Sequence, residues 1–170
     1  MENGRFILSM LVSNESGVLT RISGLFARRG FNIDSLSVGE TQNSHISRVT
    51  ITATGDGYVR EQIVKQLEKL HDAKVVELMD LHQTVARELL LIKVQASPGT
   101  RSQVLEAVTV FRAKVIDLTP ITMTMELTGE KDKLDAFIAF MEPLGIIELC
   151  RTGVTAIGRG GYVLTDMKEE

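Results

Sequence analysis

Phe6-Ile7-Leu8-Ser9-Met10-Leu11-Val12-Ser13-Asn14-Glu15-Ser16-Gly17-Val18-Leu19-Thr20-Arg21-Ile22-Ser23-Gly24-Leu25-Phe26 changes its hydrophobic period in the middle. Phe6, Leu8, Met10 and Val12 alternate with other residues, the period of a strand that buries one face. Beyond the polar break Asn14-Glu15-Ser16-Gly17, the apolar positions Val18, Leu19, Ile22, Leu25 and Phe26 recur at helical spacing. Arg28-Arg29 followed by Gly30 supplies the basic last turn and the glycine that stop a helix. The stretch therefore reads as strand, short loop, helix.

The same reading continues outward. Residues 31–39 and 46–54 are expected to be two strands joined by Glu40-Thr41-Gln42-Asn43-Ser44, with Val49, Ile51 and Ala53 on one face. Gly55-Asp56-Gly57 is a turn in which glycine tolerates positive φ. Val59, Ile63, Leu67 and Leu70 then mark a second helix, and Val75 to Leu81 a closing strand. The order β-α-β-β-α-β is the ferredoxin-like arrangement. After the connection 82–87 the order begins again. Glu88 to Ala96 is strand-like, and Ser97-Pro98-Gly99-Thr100 is a turn and helix start. Val104, Leu105, Val108 and Phe111 form a helical stripe, and strands are expected at 113–119 and 122–128 around Pro120. A further stripe, Leu134, Phe137, Ile138 and Met141, precedes a strand from Gly145 to Arg151, with a short edge strand at Val154 to Ile157. The expected class is α+β: two ferredoxin-like βαββαβ domains, residues 1–81 and 88–170. Each is small enough for its core to be marginal alone, so docking or oligomerisation is expected.

Composition narrows the function classes. The 19 basic and 22 acidic residues give a net charge of −3, without the basic excess of a nucleic-acid binder. No apolar run approaches the ~20 residues of a membrane span. Met1 to Arg5 lead straight into a strand, so no signal peptide is expected. The single cysteine, Cys150, lies in an apolar run and reads as a buried structural thiol in a reducing compartment. The expectation is a cytoplasmic protein.

Catalytic patterns are missing. His45, His71 and His82 lie in separate loops without metal-ligand spacing. No serine or cysteine has the setting of an activated nucleophile, and no carboxylate pair stands out. Gly158-Arg159-Gly160-Gly161 has no helix behind it, so it reads as a tail and not as a phosphate loop. No catalytic residue, metal site or cofactor is assigned to this chain.

The junction at 14–19 carries the chemistry that remains. A helix start has unpaired N–H groups and a partial positive charge, which suit a carboxylate. Gly17 lets a ligand approach the backbone, and Asn14 can accept from an ammonium and donate to a carboxylate. The same residues also fit a plain helix start, with Ser16 or Asn14 as cap and Gly17 shaping the turn. Both readings stand on the residues alone.

Asn14 to Leu19, Arg21 to Leu36 (with Arg29-Gly30-Phe31-Asn32-Ile33-Asp34-Ser35-Leu36 the most specific run), Glu88 to Val94, Phe111 to Asp117 and Gly129 to Phe137 resemble the small regulatory subunits of acetolactate synthase, members of the ACT domain family. The resemblance covers nearly the whole chain. It implies that Asn14 and Gly17 hold an amino-acid effector, valine by family preference, and that Asn32 reaches the same pocket from a second copy. Val18, Leu19 and Ile33 are implied to line it. It further implies a homodimer through the ACT domains and, as partner, a large catalytic subunit carrying thiamine diphosphate, magnesium and FAD, raised in activity and made feedback-sensitive by this subunit. Gly55-Asp56-Gly57 matches the opening of the cofactor motif of thiamine enzymes, but no asparagine follows Asn43 to complete a magnesium site. A free-standing amino-acid sensor and a small enzyme of ferredoxin-like fold are the rival classes, since fold alone does not separate them.

Overall fold

The computed structural model describes residues 4–164, which divide into two compact units. The first contains β1 (Gly4–Ser13), α1 (Val18–Arg29), β2 (Ser35–Glu40), β3 (Ile46–Gly55), α2 (Gly57–Leu67) and β4 (Ala73–Leu78). Its sheet runs β2-β3-β1-β4 with every neighbouring pair antiparallel. Register explains the core. Phe6 pairs with Ala53, Leu8 with Ile51 and Met10 with Val49, so one strand face carries all six. That face packs on Ile22, Leu25 and Phe26 of α1 and on Ile63 and Leu67 of α2. The β-α-β-β-α-β expectation holds for this unit.

The second unit repeats the order. It holds β5 (Thr84–Gln95), α3 (Arg101–Phe111), β6 (Lys114–Leu118), β7 (Thr122–Gly129), α4 (Lys131–Gly145) and β8 (Ile146–Arg151), with strands arranged β6-β7-β5-β8. Leu90, Ile92 and Val94 pair with Leu127, Met125 and Met123, and this face meets Val104, Ala107, Leu134, Phe137 and Met141. Phe111 and Phe137 meet edge to face at 5.1 Å between centroids, a favoured aromatic geometry.

Several local expectations are corrected. The strand expected from residue 31 begins at Ser35. Gly30 caps α1 in the left-handed conformation; its N–H and that of Phe31 return to Ala27 O and Phe26 O, and this closure consumes the residues that follow. Phe31 and Ile33 pack against the first core from this loop. The expected connection 82–87 is mostly strand, because β5 starts at Thr84 after a single 3-10 turn at Leu81–Gln83. Leu19 and Leu105 lie on their helical stripes yet are 44% and 43% exposed. Cys150 is exposed and not buried: it pairs with Leu91, and alternation turns it away from the Leu90–Ile92 face.

Gly55-Asp56-Gly57 is the expected turn, but neither glycine has positive φ. Asp56 caps α2 through a 2.9 Å bond from Val59 N, and a side chain on Gly55 would stand 2.5 Å from Val59 Cγ1. Close approach, not backbone strain, requires Gly55.

From Val154 onward the described residues, including β9 (Thr155–Gly158), group with the first unit. Val154 N donates to Ser35 Oγ at 3.3 Å, Arg159 N to Gln83 O at 2.7 Å, and the Tyr162 hydroxyl to Glu77. Arg159-Gly160-Gly161 is therefore a turn anchored on the first unit.

The second unit is tied internally by charge. Arg151 grips Glu88 with Nε and Nη2 at 2.9 and 2.6 Å and reaches Asp135 with Nη1 at 2.7 Å. Glu88 is only 5% exposed, so removing its partner strands a buried charge. Arg151→Met is expected to cost about 3 kcal/mol, read as a lower urea midpoint. The Asp135 carboxyl is held below its ordinary range, chiefly by Lys131 and then by Arg151, against desolvation. A carboxylate depressed in the fold contributes stability above its unfolded pKa and loses it as pH falls through the folded value. The midpoint difference between wild type and Asp135→Asn should be largest near neutrality and close on acidification.

Candidate functional site

The β1–α1 junction leaves a helix start without a side-chain cap. Gly17 occupies the N-cap position at φ 86°, a left-handed backbone that strains any L side chain. Neither Asn14 nor Ser16 caps the helix, and the first turn contains no acidic residue. Val18 N makes a 3.5 Å bond to Glu15 O, and Arg21 N is the first to bond back into the helix, to Gly17 O at 3.1 Å. Among the described residues no acceptor faces the N–H groups of Leu19 and Thr20. These donors and the positive end of the α1 dipole lie open at the surface.

Asn14 stands at the end of β1, held from its own backbone and its side chain. Its N–H donates to His45 O at 2.8 Å. Its side-chain amide donates to Ser44 O at 2.9 Å and to Glu40 Oε1 at 3.1 Å. Both amide hydrogens are thus committed, and only Oδ1 remains to meet a ligand. Among the described residues no group donates to Asn14 Oδ1, and such an acceptor fits an ammonium; the donating role toward a carboxylate has to come from elsewhere.

The other expected site residues separate into two groups. Val18 and Leu19 adjoin Gly17, but the Val18 side chain is buried in the first core, leaving its backbone alone toward the junction. Leu19 points outward and is the apolar side chain available there. Asn32 and Ile33 lie beyond the other end of α1, in the loop before β2. Asn32 is exposed and donates to Asp34 Oδ1 at 3.3 Å; Ile33 is half-buried. The 12 residues of α1 separate the two groups by about 18 Å at 1.5 Å per residue. Within one chain, then, Asn14 and Gly17 are together and Asn32 is not with them.

Residues overlooked in the sequence complete the junction. Arg21 Nε bonds Asp72 Oδ2 at 2.6 Å, and Asp72 O accepts from Ser13 N at 2.9 Å, so the turn before β4 braces both sides of the loop. The Arg21 hydrogen bond, ahead of all other causes, holds the Asp72 carboxyl below the ordinary carboxylate range, and Arg21 is raised in return. One signal was present in the sequence: a cation in the first turn of a helix opposes the dipole, and calls for a carboxylate nearby. Glu40 and Ser44 gave no such signal, being ordinary residues of a hairpin.

Among the described residues no three His, Cys, Asp or Glu side chains converge in a metal-binding group, and no helix is long and apolar enough to cross a membrane.

Comparison with known proteins covers both halves of the chain. Residues 8–74 match the AHAS small subunit-like ACT domain, and residues 87–160 match the small subunit of acetolactate synthase. The acetolactate synthase small subunit of Mycobacterium bovis is 51% identical over 154 residues, covering 90% of this chain and 91% of that one. The acetolactate synthase isozyme 3 small subunit of Salmonella typhimurium is 45% identical over 161 residues, covering 94% and 99%. The crystal structure of the acetolactate synthase small subunit from Thermotoga maritima superposes with a TM-score of 0.86 at 37% identity, covering 94% of this chain and 99% of that one. The uncapped, glycine-led helix start thus lies in a chain that, over nearly its full length, belongs to the acetolactate synthase small-subunit family, with an ACT domain as its N-terminal half.

Proposed function

We propose that this regulatory small subunit binds valine at the β1–α1 junction, in a pocket completed by a second copy of the chain, and passes its occupancy to the large catalytic subunit. The observation that carries this reading is the pairing at one place of an outward acceptor, Asn14 Oδ1, with unpaired helix-start donors beside Gly17. An α-amino acid head carries a positive donor and a negative acceptor a few bonds apart, the complement of that arrangement. Leu19 supplies an apolar surface for the side chain.

The second copy follows from the separation along α1. Asn32 belongs to the family motif yet stands a helix length from Gly17, so it serves a pocket only by reaching that of another chain. β2 begins three residues after Asn32 and forms an edge of its sheet, with Leu36 and Val38 exposed. Pairing two such edges extends both sheets and covers these side chains. Asn32 and Ile33 of each copy then approach the Asn14–Gly17 junction of the other.

Side-chain selectivity follows from area. Valine buries about two methyl groups more than alanine, roughly 1.6 kcal/mol at about 0.8 per group. One methylene more, in leucine or isoleucine, shifts affinity by about 1–3 kcal/mol. A small branched apolar effector fits this range. Thiamine diphosphate, magnesium and FAD belong to the large subunit, where the condensation of 2-oxoacids takes place. This chain contributes the effector site and the two-chain geometry that the effector biases. Coupling of about 1–3 kcal/mol changes partner behaviour about 5–150-fold, provided valine binds one geometry better than the other.

Mixing two defective chains tests the shared pocket. Asn14→Ala and Asn32→Ala homodimers should each need at least roughly tenfold more valine for half-inhibition of the reconstituted enzyme, the loss of a charge-assisted hydrogen bond. In a mixture, each heterodimer holds one pocket with both asparagines intact, so sensitivity near the wild-type concentration should return in part. Mixtures that stay as insensitive as either parent contradict a site built across two chains.

A further inference from the structure

The pocket just proposed lacks one element. Asn14 has committed both amide hydrogens to Glu40 and Ser44, so it offers the effector no donor. The Leu19 and Thr20 N–H groups remain, but a carboxylate desolvated against backbone alone would lack a counter-charge. Arg21 stands beside this position. Its Nη1 lies 3.1 Å from where a side chain on Gly17 would begin, so the guanidinium borders the space that the missing side chain opens.

Its own bonding leaves it available. Arg21 uses Nε on Asp72, and among the described residues Nη1 and Nη2 donate to no protein acceptor. A guanidinium is a planar fork, able to serve one carboxylate through Nε and another through its terminal nitrogens. Asp72 is buried while Arg21 is about half exposed, so the fixed end of the pair is the carboxylate and the open end is the cation. The placement is otherwise unfavourable, since Arg21 is the fourth residue of α1 and adds positive charge to the positive end of the helix. Asp72 offsets this through its hydrogen bond, and the Glu15 carboxylate of the same loop adds a weaker pull on the guanidinium. Neither takes a hydrogen bond from Nη1 or Nη2 among the described residues.

Resting on the amino-acid pocket proposed above, we infer that Arg21 binds the effector's α-carboxylate through its terminal nitrogens, with Asp72 as the positioning residue that aims it. Recognition of the zwitterion then divides between chain segments. Asn14 Oδ1 takes the ammonium, and Arg21 with the first turn of α1 takes the carboxylate. An uncharged amide in place of the carboxylate should lose the arginine's contribution and keep the rest.

The complete complex of large subunit and this chain tests the inference, with valine and valinamide each titrated to half-inhibition at neutral pH. Wild type should favour valine strongly. In Arg21→Met the valine requirement should rise roughly tenfold or more, the size of a charge-assisted hydrogen bond lost, while that for valinamide changes little, so the ratio contracts. Arg21→Lys should contract it as well, because a point-like ammonium drawn to Asp72 lacks the planar fork that directs separate donors toward the effector. Asp72→Asn should contract it less. Should Arg21→Met fold poorly with Asp72 left unpaired, the double variant Arg21→Met with Asp72→Asn removes both charges and is read in the same way. A purely structural arginine would move both ligands together and leave the ratio as in wild type; that result, or an unchanged valine requirement, overturns the inference. A wild-type complex that valine does not inhibit at all overturns the pocket itself.

Discussion

Gly17 turns the chain from β1 into α1 at a positive φ, and so no side chain is lent to the first turn of the helix. Most helix starts in proteins are closed by a serine, threonine, aspartate or asparagine that satisfies the leading N–H groups. Here those donors face outward, and the nearby residues arrange themselves around the opening. Asn14 is turned by Glu40 and Ser44 so that its carbonyl oxygen points away from its own partners. Arg21 is pulled to one side by Asp72. A capping side chain at position 17 would satisfy leading donors of the helix that here have no protein acceptor among the described residues.

The two units solve similar folding problems and spend their charges differently. Each lays two helices on one face of an antiparallel sheet whose strands pair large apolar residues in register. In the second unit Arg151, Glu88 and Asp135 form a closed group in which the arginine uses Nε, Nη1 and Nη2 on the two carboxylates. In the first unit Arg21 meets a single carboxylate through Nε. A closed network stiffens the elements it joins, whereas an arginine bonded on one side retains donors for a ligand. On the reading proposed above, that contrast separates a stabilising cluster from a binding one more clearly than the shared fold does.

Much of this was legible in the sequence because burial leaves a period behind. The alternation from Phe6 to Val12, the stripe from Val18 to Phe26 and the stripe from Leu134 to Met141 correspond to buried faces in the structure. The unread parts depend on partners distant in the chain. Cys150 sits in an apolar run, and only its pairing with Leu91 places it on the exposed face. The return of Val154 and Tyr162 to Ser35 and Glu77 joins residues far apart, with no local pattern to announce it. At the junction, Gly17 and Asn14 were visible as residue types. That Asn14 donates inward and accepts outward depends on Glu40 and Ser44, which no spacing rule connects to it. Leu19 and Val18 illustrate the same limit at one step of sequence: one faces out and the other fills the core.

The most direct measurement is acetolactate formation by the cognate large subunit, alone and with this chain, across a valine titration. Activity should rise when the chain is added, together with inhibition by valine that the large subunit alone lacks. Activation without any new sensitivity to valine would contradict the effector site at the β1–α1 junction, and no effect of the chain at any ratio would contradict the regulatory role itself.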